Sequence, residues 1–185
     1  MTPQSAQPLT VAQWEALPDT SGLELLDGMV LTRAQATPRH RRVATRLRTT
    51  LAGLAPRGLA VTTNVEVRLA ELHRRRPDLL VIDTGWGGKA ALDVDSWCLM
   101  PEQIVLAVEV VAPGTETTDR KHKPAEYADA DIAHYWRVET LPATAVHTYR
   151  LGESCHYLET GVFREEDRVA DPTLRWATFD VSDLR

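Results

Sequence analysis

No apolar run in the chain approaches the ~18 residues that a membrane-spanning helix needs, which excludes such a span. The first residues, MTPQSAQPLT, lack a basic-plus-apolar pattern, so no signal peptide is expected and a cytoplasmic location is. Cysteine is scarce: Cys98 and Cys155 lie far apart with no CxxC or Cys/His ligand spacing, which excludes a disulfide framework or a zinc cage. There is no Gly-rich phosphate loop, no nucleophile elbow and no HExxH, so no organic cofactor is called for. An excess of positive charge is missing as well. The net charge of −5 argues against a protein that coats nucleic acid indiscriminately.

What remains is an ordinary globular composition, 43% hydrophobic and 25% charged over 185 residues, enough for one sizeable core. Residues 1–20 read as a polar lead-in with a short helix capped by Thr10 and stopped before Pro18; residues 21–185 read as one domain. LELLDGMVLTRA is two strand-like runs split by Asp27-Gly28, a hairpin signal, with Glu24 on the first arm. From Arg39 to about Leu54 the spacing predicts a helix with Val43, Leu47, Leu51 and Leu54 as its core stripe. Arg39, Arg42 and Arg46 flank that stripe, and Arg41 and Arg48 point away from it. Leu59–Ala70 alternates as one half-buried strand, and Leu79–Ile82 and Gln103–Val111 read as central strands. Gly85–Ser96, which holds Asp93 and Asp95, reads as an irregular excursion. Further strands are expected at His134–Glu139, Ala143–Arg150, Ser154–Thr160 and Leu174–Asp180, joined around Gly152 and Gly161. The order predicts an α/β (or α+β) domain around a central mixed sheet flanked by helices, with extra C-terminal strands.

Chemistry concentrates on Asp78 and Glu109, each an acid at one end of an apolar strand. An ionised carboxylate is not buried without compensation, so Glu109 needs a metal ion, a lysine, or both. If the two strands are neighbours, their carboxylates converge as hard oxygen donors suited to Mg²⁺. The competing reading is a Pro-Asp turn and a structural ion pair.

The joint pattern resembles the PD-(D/E)xK nuclease superfamily and, within it, the Uma-two family of bacterial restriction endonucleases. The shared features are Glu24-Leu-Leu-Asp27-Gly28, Pro38-Arg39-His40, Arg76-Pro77-Asp78-Leu79 and a long stretch from Val108 to Val138. In that stretch stand Glu109, Pro113-Gly114-Thr115, Asp119-Arg120, Lys123, Tyr127-Ala128 and His134-Tyr135-Trp136. The resemblance implies a restriction-endonuclease-like core and a metal-dependent endonuclease acting on DNA as a homodimer, with Mg²⁺ as cofactor and Mn²⁺ as its substitute. It makes Asp78 and Glu109 metal ligands, the Val110 carbonyl a third, and Glu24 an auxiliary metal or water contact. Two residues after Glu109 stands Val111 where the superfamily pattern has lysine, so that role passes to Lys123. Pro124 then predicts a helix beginning only at Pro124, with Lys123 on the loop before it and Lys121 as competitor.

For nucleic acid, Arg39, His40, Arg42, Arg46 and Arg76 are the candidate contacts, by phosphate neutralisation; a solvated helix face is the alternative. Two other functional readings stand beside cleavage of DNA. One is a nuclease-fold binding or assembly module that no longer cleaves. The other is a nuclease for RNA or structured nucleic acid.

Overall fold

A computed structural model of the chain describes residues 7–85 and 98–185. Apart from Gly85, the excursion with Asp93 and Asp95 lies outside the described residues. Two mixed sheets carry the fold. Strands β1 (Leu23–Leu26), β2 (Met29–Thr32), β4 (Glu66–Ala70), β5 (His73–Arg75) and β7 (Cys98–Leu99) form a five-stranded sheet in the order β2-β1-β5-β4-β7. The six-stranded sheet runs β11-β10-β9-β8-β6-β3, from β3 (Leu59–Thr62), β6 (Leu79–Asp83), β8 (Ile104–Val110), β9 (His134–Glu139), β10 (Ala145–Leu151) and β11 (Tyr157–Arg164). A short β12–β13 pair, Arg168–Val169 with Phe179–Asp180, follows. Helix α1 (Val11–Glu15) opens the described chain on a Thr10–Gln13 capping box.

The central strands β6 and β8 are apolar runs because both faces of their sheet are covered. On one face lies α2 (Pro38–Leu54), which buries Val43, Leu47 and Leu51 against Leu79, Val81, Leu106, Val108 and Trp136. The C-terminal segment joins this core through Phe179, Val181 and Leu184. On the other face lies α3 (Lys123–Asp129), where Tyr127 packs with Leu80, Ile82, Ala107 and Tyr135. Strands β8 and β9 are parallel, which requires a crossover, and the helical segment ending in α3 supplies it.

Several expectations are corrected. Leu54 is 38% exposed rather than part of the core stripe. Leu59–Ala70 is not one strand: Asn64, in the left-handed region at φ 58°, breaks it into β3 and β4, which join different sheets. Gly161 does not end a strand but lies inside β11, where a Cβ would stand 2.6 Å from the Phe163 ring. Of Leu174–Asp180 only Phe179–Asp180 is strand. Among the described residues, no helix is long and apolar enough to cross a membrane.

Candidate active site

Strands β6 and β8 are antiparallel neighbours with Leu79 opposite Val108, so Asp78, just ahead of β6, stands beside the end of β8. Its Oδ2 accepts the Val110 backbone N–H at 2.9 Å and lies 3.0 Å from His40 Nε2. Arg33 Nη2 lies 3.6 Å from the other oxygen. Burial alone would raise the Asp78 carboxyl, but the His40 contact, the Lys123 charge and the Val110 N–H hold it below its ordinary value. Asp78 is therefore an anion in the site.

Glu109 is 1% exposed, and the structure supplies the compensation that its burial demands. Lys123 Nζ lies 2.9 Å from Oε2, and the Tyr127 hydroxyl donates to Oε1 at 2.6 Å. Even so, burial and the like charges of Asp78 and Asp119 push the Glu109 carboxyl up to about 8. Asp119, buried and 3.2 Å from Lys123 Nζ, is raised as well, chiefly by burial. Lys123 is also disfavoured by burial, but Glu109, Glu24, Asp119 and Asp78 outweigh this and hold it charged well above the ordinary range. Four carboxylates thus gather around one ammonium. Arg33 beside Asp78 and Arg75 on Glu24 add positive charge at the edge of this cluster.

Lys123 reaches this position because the expected break before Pro124 does not occur. The chain is already helical through a widened turn at Thr118–His122, and the Lys123 N–H bonds five residues back to the Thr118 carbonyl. A wider turn makes room for the proline ring, so Lys123 keeps helical geometry (φ −58°, ψ −42°). Asp119, Lys123 and Tyr127 all come out buried on the site side. Lys121, the competitor, is exposed.

Glu24, expected as an auxiliary metal or water contact, lines the cleft with its carboxylate held from the arginine side. One oxygen takes Arg75 Nη1 at 2.7 Å and the other the Arg76 backbone N–H at 3.1 Å, with Lys123 Nζ 3.9 Å away. It is a bracket behind the lysine. Arg76 is corrected from nucleic-acid contact to frame: it is 4% exposed, and its guanidinium is committed to the Thr20 and Asn64 carbonyls, the Thr20 hydroxyl and Glu66. Arg39 donates to the Thr140 carbonyl at 2.9 Å. Arg39, Arg42 and Arg46 are not among the residues that line the cleft, whereas His40 is in the site.

The acids line one cleft of about 930 Å³ that also holds Lys123, Arg33, Arg41 and Arg48. Sequence reasoning gave no role to Arg33 or Asp119. The four-residue spacing of Asp119 and Lys123 was a signal for the second; nothing local marks the first. Among the described residues, no three His, Cys, Asp or Glu side chains form a ready metal cage, because Lys123 fills the space between Glu109 and Asp119. Asp78, Glu109 and Val110 line the cleft side by side, and the two carboxylates and the backbone carbonyl are all hard oxygen donors. That set fits a Mg²⁺-type ion that keeps several of its waters.

A solved structure described as "a putative nuclease belonging to DUF820", from Anabaena variabilis ATCC 29413, matches with TM-score 0.75 at 16% identity. The match covers 96% of this chain and 97% of that one, and it shows that the fold is shared. No curated protein matches the chain. The model of the Uma2 family, described as "Putative restriction endonuclease", matches residues 10–182. With the family model spanning nearly the whole domain, this chain belongs to the Uma2 family.

Proposed function

We propose that this protein is a divalent-metal-dependent endonuclease that hydrolyses phosphodiester bonds in DNA. The observation that carries the proposal is the convergence of Asp78, Glu109 and Lys123 on one open cleft, in a chain of a nuclease family. Asp78, Glu109 and the Val110 carbonyl would hold Mg²⁺, or Mn²⁺ in its place. When bound, such an ion polarises a phosphoryl oxygen and acidifies a bound water.

The chain's own residues prepare that chemistry. His40 and the Val110 N–H fix Asp78 in one orientation, as an anion. Tyr127 and Lys123 each take one oxygen of Glu109, which sets the carboxylate plane and favours its charged form. Lys123, buried and fully charged, is positioned to stabilise negative charge developing on a phosphate in the cleft. A homodimer belongs to the same proposal, since a single small domain must face a two-stranded substrate.

The test is cleavage of supercoiled plasmid in Mg²⁺ or Mn²⁺. The wild type should nick or linearise it, and the Asp78→Ala, Glu109→Ala double variant should not. Equal activity from the two proteins sinks the assignment. A wild type that binds DNA but neither binds metal nor cleaves would instead identify a non-cleaving nuclease-fold module.

A further inference from the structure

We infer that the flank of α2 bearing Arg41 and Arg48 is a phosphate track, guiding one strand of the substrate toward Asp78 and Glu109. The inference rests on the DNA-cleaving reading above and names where the substrate's backbone lies.

The acids Glu24, Asp78, Glu109 and Asp119 line the cleft, Asp78 as an anion, and a phosphodiester brought toward them is repelled unless cations lie along its approach. The protein as a whole does not provide them, since its net charge is −5. The wall of the cleft does. Arg41 and Arg48 are exposed on it, and among the described residues neither forms an ion pair with a carboxylate. Between them on the same wall stand Ala44 and Thr45, short side chains that let a sugar-phosphate backbone approach the helix closely. The two arginines are seven residues apart, roughly 10 Å along the helix axis at 1.5 Å per residue. That spacing lets the two guanidinium groups reach separate phosphates of one strand. Arg33, on the facing loop and 3.6 Å from Asp78, continues the cationic line to the acids.

Helix α2 contains its own control. Arg42 and Arg46 are exposed on the same helix and carry the same charge, but they stand outside the cleft. If net charge alone drew in DNA, the two pairs would be equivalent. If the cleft wall is the track, they are not.

The experiment is an anisotropy titration of a labelled DNA duplex, with EDTA present so that no cleavage occurs, over a series of salt concentrations. It compares the wild type, the Arg41→Ala, Arg48→Ala pair and the Arg42→Ala, Arg46→Ala pair. Loss of two phosphate contacts should reduce the slope of log affinity against log salt by about 2 and weaken binding on the order of tenfold. The Arg42/Arg46 pair should stay within about twofold of wild type, as for charges that touch no phosphate. Both pairs are exposed, so thermal melting should be unchanged. Equal losses from the two pairs, or wild-type binding by the Arg41/Arg48 pair, would overturn the track while leaving the DNA reading intact. A wild type that binds no DNA even at low salt overturns both.

Discussion

At the scale of single residues, the site turns on how one lysine and one glutamate share charge. Lys123 and Lys121 are two positions apart, yet one is enclosed by four carboxylates and the other faces solvent. Lys123→Met keeps the length of the side chain and removes its charge. We expect plasmid cleavage to fall about a hundredfold or more, the scale of losing one preorganised electrostatic group. Lys121→Ala should stay within about twofold of wild type, as an exposed charge away from the site. Comparable losses from both would remove Lys123 from its assigned place. Glu109 supplies a pH test. Its carboxyl is raised from 4.5 to about 8, so around neutral pH the folded protein still holds a proton that metal binding must release. Calorimetry with Mn²⁺ should show apparent affinity rising by about tenfold per pH unit up to about pH 8 and levelling above it. An affinity flat from pH 6.5 to 9 contradicts a one-proton exchange at this residue.

At the scale of elements, the widened turn before α3 explains why a proline can follow the site lysine. Pro124 has no N–H to offer the preceding turn, and the Asp119 carbonyl instead accepts the buried Tyr135 hydroxyl at 2.6 Å. Tyr135→Phe should therefore leave that carbonyl unpaired and lower stability by about 1–3 kcal/mol in urea denaturation. Pro124→Ala restores a donor in the same turn. The double variant should be more stable than the two single changes predict, by at least about 0.5 kcal/mol. Strict additivity would mean that the two residues do not share the carbonyl. This compensation was not legible in the sequence, because the partner of the missing N–H lies on another strand. The hairpin at Asp27-Gly28, helix α2 and the buried strands β6 and β8 were legible, since each is encoded by its own turn residues or periodicity. The β3–β4 split was not. The alternation of Leu59–Ala70 continues through Asn64, and only that residue's left-handed backbone separates the two strands.

At the scale of the whole molecule, the strand-end acids could be read in advance, whereas the frame that holds them could not. Strand β5 is His-Arg-Arg, a sequence that looks like solvent-facing polarity, yet Arg74 and Arg75 are each 2% exposed. They are buried because acids from distant segments meet them: Arg74 lies 3.6 Å from Glu66, and Arg75 joins Glu24 of β1 to Glu126 of α3. The five-stranded sheet is thus bound to the helix carrying Lys123 by charge pairing, which leaves no periodic signature. The bond has a pH consequence that can be measured. Burial would raise Glu126, but His73 and the two-pronged Arg75 contact at 2.6 Å hold it down to about 2, from an ordinary 4.5. A carboxyl whose folded value is depressed contributes stability fully above its unfolded value, and loses that contribution as pH falls toward the folded one. The window here is therefore from about pH 4.5 down to about pH 2. The full shift corresponds to about 3 kcal/mol. Glu126 is partly open to solvent, and screening reduces this to about 1–2 kcal/mol. Wild type and Glu126→Gln should be compared by urea denaturation from pH 7 to pH 2.5. The variant should be less stable at pH 7, and the gap should close by about 1–2 kcal/mol as the wild type loses its ion pair in acid. Curves that run parallel through that window would show that the Arg75–Glu126 contact does not couple the sheet to the helix in solution.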